Sequence, residues 1–216
     1  MKLVVLGANG HVGAHVVTEA LLRGHQVVAY VRHPDAVQPR DGLTVVQGSV
    51  EDELAMTDAF TGADAVITAI GLRPGAKKPI NLMQRALPVI TAAAKKAAVG
   101  RFVLVSAFGV AETAAMGSPI AKLIFATLVG AIFRDKTLSE KIMPSTGLNW
   151  TTVYPVNLKE APHGPKAVVK PLADVAKVPG IPTLTFATVA ATLLDIAADQ
   201  NMSGLRVLIT TDKGWK

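Results

Sequence analysis

Leu3-Val4-Val5-Leu6-Gly7-Ala8-Asn9-Gly10-His11-Val12-Gly13 decides how the rest of the chain is read. The apolar run from Leu3 to Leu6 has the length of a buried strand, and helical spacing begins at His11. Between them stand three glycines at the spacing G-x-x-G-x-x-G. Gly7 permits a tight turn, Gly10 lets the backbone approach a pyrophosphate, and Gly13 lets the helix pack closely. The start of such a helix offers unpaired amides and a partial positive charge to phosphate groups. Asn9, His11 and Val12 share this turn. His11 is expected to contribute through its backbone amide.

Strands and helices alternate outward from this point. The first helix runs from His11 to Arg23, with Val12, Val16, Ala20 and Leu21 on one side and Gly24 closing it. Val27 to Val31 and Leu43 to Val46 read as strands. Glu51 to Phe60 reads as a helix with acids in its first turn. Ala65 to Ala69 is a fourth strand. A long helix follows from about Asn81 to Ala98, with a local distortion at Pro88. Phe102 to Val105 is the fifth strand, Pro119 to Met143 an apolar helix, and Trp150 to Tyr154 the sixth strand. Phe186 to Ala198 is the last helix and Val207 to Thr210 the last strand. Short strands, apolar on both faces, imply a parallel sheet covered by helices on both sides. The expected fold is a single α/β domain over residues 1–216, a doubly wound parallel sheet of the Rossmann type. Six of the 13 prolines fall between Pro155 and Pro182. Residues 155–183 therefore read as a small loop layer over the cofactor crevice that covers the substrate.

Composition removes several alternatives. Half of the 216 residues are hydrophobic, enough for a large core and against disorder. Aromatics are only 5%, and the net charge of +6 is evenly spread. The excess suits a phosphate-bearing ligand, and no nucleic-acid partner is expected. The absence of cysteine excludes disulfides, cysteine nucleophiles and thiolate metal sites. The apolar run between Lys122 and Arg134 falls short of the roughly 20 residues that span a bilayer. The N-terminal run is too short for a signal peptide. A cytoplasmic protein with no membrane contact is expected, acting on a small-molecule substrate as a monomer or homodimer.

Cofactor choice is read at the end of the second strand. An acid there would bond both ribose hydroxyls and favour NAD. The sequence has Tyr30-Val31-Arg32-His33 instead, with Asp35 beyond the strand end. Arg32 can make a two-pronged contact with a 2′-phosphate and lie against adenine. NADP is therefore expected, NADPH in preference to NADH. His11 and His15 have a metal-ligand spacing, but no third ligand accompanies them, and no metal is expected.

Further elements carry a family resemblance. Gly48-Ser49-Val50 is similar to the Gly-Asp-Val element near the adenine in the extended and atypical short-chain dehydrogenase/reductase superfamily, with Ser49 in place of Asp. Ala69-Ile70-Gly71 resembles the superfamily's loop along the cofactor. Ser106-Ala107-Phe108-Gly109 resembles its serine-bearing end of the fifth strand. Asp135-Lys136, Glu140, the run Ser145 to Thr151, and Tyr154-Pro155 resemble the NAD(P)H-binding subfamily that holds biliverdin reductase B, a flavin reductase, and NmrA-like proteins. The resemblance spans essentially the whole chain. It implies cofactor contacts at Ser49, Val50, Ala69, Ile70, Gly71, Ser106, Lys136, Pro155 and Asn157.

The departures shape the expected chemistry. The superfamily's Tyr-x-x-x-Lys proton donor is absent, since Tyr30 is followed four residues later by Pro34 and Tyr154 by Leu158. The histidine that often follows the sixth-strand proline is replaced in Pro155-Val156-Asn157. His163, farther along the loop, is the histidine that can reach in. A flavin or quinone accepts hydride without an enzyme base, with water supplying the proton and the protein supplying proximity. Ser106, at a strand end facing the crevice, is expected to hydrogen-bond substrate or nicotinamide. Tyr154 either meets the nicotinamide or packs in the core. Lys136 either holds the cofactor or makes a helix-surface pair with Glu140, which contributes only about 0.3–0.5 kcal/mol. Asn157 can hold the carboxamide. The leading reading is an oxidoreductase passing hydride from NADPH to a small planar acceptor such as a flavin, quinone or tetrapyrrole. The alternative is a non-catalytic NADP(H)-sensing regulator of the NmrA-like type, and isomerase or dehydratase chemistry follows. Lys77 and Lys78 have no assigned task.

Overall fold

A computed structural model describes residues 1–71, 81–127 and 129–216, with the backbone alone at 124–127. Lys77 and Lys78 lie outside the described residues. The strands are β1 (Lys2–Leu6), β2 (Gln26–Val31), β3 (Leu43–Gln47), β4 (Ala65–Thr68), β5 (Arg101–Val105), β6 (Trp150–Pro155), β7 (Asn157–Lys159), β8 (Val168–Pro171), β9 (Thr183–Thr185) and β10 (Leu205–Thr210). The helices are α1 (His11–Leu22), α2 (Glu53–Phe60), α3 (Leu82–Lys96), α4 (Thr113–Met116), α5 (Pro119–Thr127), α6 (Gly130–Ser139) and α7 (Phe186–Ala198).

Eight strands form one sheet in the order β3-β2-β1-β4-β5-β6-β10-β8. All neighbours are parallel except β10 and β8. The chain winds outward from β1 to β3, then returns to place β4 on the other side of β1. This reversal opens a crevice beyond the strand ends, where doubly wound sheets hold their ligands. Alternation within the strands divides the core between the two faces. Leu3 and Val5 of β1 pack with Val16 and Ala20 of α1 and Leu193 of α7. Val4 and Leu6 pack with Phe60 of α2 and Ile90 of α3. Among the described residues, no helix is long and apolar enough to cross a membrane.

Three boundaries depart from expectation. Helix α2 begins at Glu53 because Asp52 caps it, accepting from the Ala55 amide at 3.0 Å. The expected helix from Pro119 to Met143 is broken. α5 ends at Thr127, α6 starts at Gly130, and a 3-10 turn spans Glu140–Ser145 around Pro144. Proline lacks the amide that an α-helix needs there. The proline-rich stretch is more than a loop layer. β8 extends the main sheet as an antiparallel edge, and β7 pairs in parallel with β9. Three of the six prolines stand at strand margins, with Pro155 closing β6, Pro171 closing β8 on the edge and Pro182 preceding β9, where a missing amide is tolerated.

Candidate functional site

Two cavities lie near the start of α1, one lined by Gly7, Asn9 and Gly10 and the other by Val12. The first lies over the glycine turn. Gly7 has φ +80°, and a Cβ there would stand 2.7 Å from the Ala69 carbonyl oxygen. A Cβ on Gly13 would come within 2.1 Å of the Gly7 carbonyl oxygen, so helix and turn touch backbone to backbone. The Gly10 amide donates to that same carbonyl at 2.9 Å. No side chain caps α1 and its first turn holds no acid. The start of α3 differs: its Met83 and Gln84 amides donate to the Asp135 carboxylate at 2.8 and 3.1 Å. Among the described residues, no carboxylate meets the first amides of α1, and a helix start of this kind suits an anion.

Gly7, Asn9, Gly10, Arg32, Val50, Ala69, Ile70 and Gly71, eight of the residues expected at the cofactor, line this first cavity together. Arg32 is exposed at its rim, and among the described residues its guanidinium has no acid partner. Ser49 stands outside the lining, its hydroxyl accepting from the Glu51 amide at 3.2 Å. Tyr30, missed in the sequence as a lining residue, donates from its hydroxyl to the Ser49 carbonyl at 3.0 Å. Burial raises the Tyr30 phenol above its ordinary range, and the charge of Asp52 adds to this. His11 stacks on Phe186 with ring centroids 5.1 Å apart, leaving its amide at the turn.

The second cavity, about 310 Å³, sits beside the ends of β5 and β6. That is at the lower end of the range for small-molecule sites. Val12, Ser106, Pro155 and Asn157 line it, with Phe108, Phe133, Val156, Leu158 and Ile181 supplying most of its apolar wall. No charged side chain is among the lining residues described. Asn157 donates from its amide nitrogen to Thr183 at 3.0 Å across the β7–β9 pair, and among the described residues its carbonyl oxygen accepts no hydrogen bond. His163 does not reach this cavity. It stands 3.5 Å from Glu19 of α1, on the outer side of the helix. His15 likewise turns outward, 3.2 Å from Glu160.

Behind Ser106 the structure corrects two expectations. Lys136 makes no helix-surface pair with Glu140, because both are buried. The Lys136 ammonium donates to the carbonyls of Val105 at 3.0 Å and Ile70 at 3.3 Å, bracing the ends of β5 and the loop after β4. Among the described residues, these two carbonyls take two of its three donors. Burial pushes this lysine below its ordinary range, opposed by the charges of Glu140 and Asp135. Tyr154 does not meet the cavity. Its ring is fully buried and its hydroxyl donates to Glu140 Oε2 at 2.8 Å. The other Glu140 oxygen accepts from the Ser106 hydroxyl. Burial drives the Glu140 carboxyl up, opposed by hydrogen bonds from Ser106 and Tyr154 and by the charges of Lys136 and Arg206. Burial and the Glu140 charge push the Tyr154 phenol up, so it stays protonated. Glu140 was not expected in the site. The available signal was its position one helical turn after Lys136, but spacing alone does not reveal burial.

The family model described as NAD(P)H-binding matches residues 7–200. An uncharacterised chloroplastic protein of Arabidopsis thaliana is 32% identical over 179 residues, covering 79% of this chain and 64% of that protein. The chain spans less than two thirds of the curated relatives it matches first. Among solved structures, an anaerobillin reductase from Escherichia coli O157:H7 superimposes with a TM-score of 0.80 at 24% identity, covering 98% of each chain. A short-chain dehydrogenase/reductase (wide type) from Veillonella parvula, in complex with NADP, gives 0.81 at 18% identity, covering 100% of this chain and 96% of that one. At these identities the likeness is one of fold.

Proposed function

This chain belongs to the NAD(P)H-binding family, and on that premise we propose that it is an NADPH-dependent reductase passing hydride to a small, planar, uncharged acceptor. The observation that carries this reading is the second cavity. It is apolar, has Val12 from the first turn of α1 in its lining, and has Ser106 and Asn157 as its polar side chains. A flat ring buried there loses little, whereas a phosphate or carboxylate would shed its hydration without meeting a cation. A quinone or a flavin ring suits these walls better than a tetrapyrrole with its acid side chains. The anaerobillin reductase shares the fold but does not fix the acceptor here.

For the cofactor, the amides of α1 would hold the pyrophosphate and Arg32 the 2′-phosphate. The remaining donor of Lys136 would serve the nicotinamide ribose, and the Asn157 carbonyl the carboxamide. Bound in this way the dinucleotide supplies the hydride. The chain's own groups orient it and keep water from the reacting face. Proximity of this kind accounts for several kcal/mol of barrier lowering.

Steady-state NADPH oxidation with an uncharged quinone, riboflavin and FMN tests the reading. Turnover is expected with the quinone and riboflavin, and slower turnover with FMN because of its phosphate. No oxidation with any acceptor would overturn it.

One observation favours a second reading, a dinucleotide sensor with a protein partner. Ile120 and Leu123 of α5 are 67% and 65% exposed. This reading expects tight NADPH binding, no turnover, and a partner captured in a cofactor-dependent way.

A further inference from the structure

Two-electron reduction of an acceptor takes up a proton as well as a hydride, and a buried carboxyl stands behind the serine of the acceptor cavity. Glu140 is 2% exposed and does not line that cavity. Four elements converge on it. β5 leads to Ser106, on Oε1, and β6 presents Tyr154, on Oε2. α6 presents Lys136, with Asp135 already holding the start of α3. β10 presents Arg206, which is paired with Glu112 at 2.9 Å. Of these groups only Ser106 opens into the cavity.

The hydrogen-bond inventory then leaves two arrangements. Tyr154 keeps its proton and donates to Oε2. The variable hydrogen is the one between Oε1 and Ser106. With Glu140 ionised, Ser106 donates to it and turns lone pairs toward the cavity. With Glu140 protonated, the carboxyl donates to Ser106 Oγ, and the serine hydrogen is released to point at a ligand. The protonation of Glu140 thus sets whether the cavity offers a donor or an acceptor.

We propose that Glu140 is the proton reserve of the reduction, acting through Ser106; the inference rests on the reductase reading above. The nicotinamide C–H bond breaks with its electron pair, and that hydride forms a new bond to the acceptor. An electron pair moves onto an acceptor oxygen or nitrogen. That atom takes the Ser106 hydrogen, and Oγ takes the hydrogen of the Glu140 carboxyl. The carboxylate left behind is held by hydrogen bonds from Ser106 and Tyr154 and by the charge of Lys136. After product leaves, water in the emptied cavity returns a proton through the same serine. Each two-electron reduction consumes one NADPH and one proton. Glu140 touches neither cofactor nor acceptor and is a positioning residue, while Ser106 is the catalytic one.

The test is the pH dependence of single-turnover NADPH oxidation in the wild type and in Glu140→Gln, Glu140→Asp and Ser106→Ala. Glutamine still accepts from Tyr154 and donates to Ser106, but it releases no proton. The wild-type rate should fall as pH rises through one ionisation above the ordinary glutamate range. Glu140→Gln should be roughly 10- to 100-fold slower with that limb gone, with NADPH affinity and acceptor KM little changed. Glu140→Asp should restore part of the limb. A folded Glu140→Gln protein with wild-type rate and limb would overturn the proposal. If Glu140→Gln does not fold, Ser106→Ala must lose the limb, and its persistence would overturn the proposal equally. If no acceptor is turned over, the reductase reading falls. The Glu140–Ser106 link is then read by carbon-13 NMR of glutamate carboxyls in the NADP-bound protein. One carboxyl titrating above the ordinary range and shifted by Ser106→Ala supports the link. Ordinary titration, unmoved by that variant, contradicts it.

Discussion

The two cavities of the crevice are built from different material. Over the glycine turn one wall is the backbone of consecutive residues, where a missing Cβ does the shaping, and Tyr30, Arg32, Val50 and Ala69 to Gly71 complete the lining. Beside β5 and β6 the walls are side chains from five separate regions of sequence, with a buried polar network behind one of them. A site made of local backbone can be read from spacing. A site made of distant side chains cannot, because its chemistry depends on which faces the fold brings together. Under the proposed function the contrast also separates tasks: the first cavity would take the dinucleotide, the second the acceptor.

The largest effect is expected from breaking the backbone contact in the first cavity. Gly13→Val places carbon atoms against the Gly7 carbonyl, which must move. Overpacking of this kind costs about 3 kcal/mol. NADPH binding, followed by fluorescence titration, should fall at least tenfold. Unchanged binding would mean that the turn does not hold the phosphates.

Arg32→Asp comes next and sharpens the division within the first cavity. Loss of a charge-assisted contact costs roughly 1.5–3 kcal/mol. NADPH affinity should fall by about that amount while NADH affinity holds or improves. Equal binding of both cofactors by the unaltered protein would remove Arg32 from the account.

A smaller effect concerns the network behind the second cavity. The folded chain holds the Glu140 proton more tightly than the unfolded chain does. Stability from this group is therefore complete below the ordinary glutamate range and declines as pH rises through the folded midpoint. Glu140→Gln does not titrate. The thermal stability of the variant relative to wild type should rise with pH through that window and then level. A constant difference would contradict a raised carboxyl.

The smallest effect is expected at His163, which pairs with Glu19 at an exposed position. Such pairs contribute less than about 1 kcal/mol. His163→Ala should leave stability and turnover near wild type, and a large loss of turnover would mean that the acceptor region extends over α1.

Much of the fold was legible because period and punctuation agree. The apolar runs at Leu3, Val27 and Ala65 and the glycines at 7, 10 and 13 each point to the same architecture. What escaped was non-local. β8 pairs with β10 nearly 40 residues away, so no pattern within Val168–Pro171 announces it. Tyr154 was placed on the right strand, but its hydroxyl direction depends on Glu140. Glu140 itself looked like half of an exposed helical pair until packing against β5 and β6 buried it.

The central claim is that bound NADPH gives up its hydride in this site. The most direct measurement is single-turnover oxidation of NADPH carrying deuterium at the transferred position, with an uncharged quinone in the cavity. Oxidation of the bound cofactor, slower for the deuterated form, is the result expected. A cofactor that binds tightly and stays reduced with every acceptor would contradict the claim and favour the sensor.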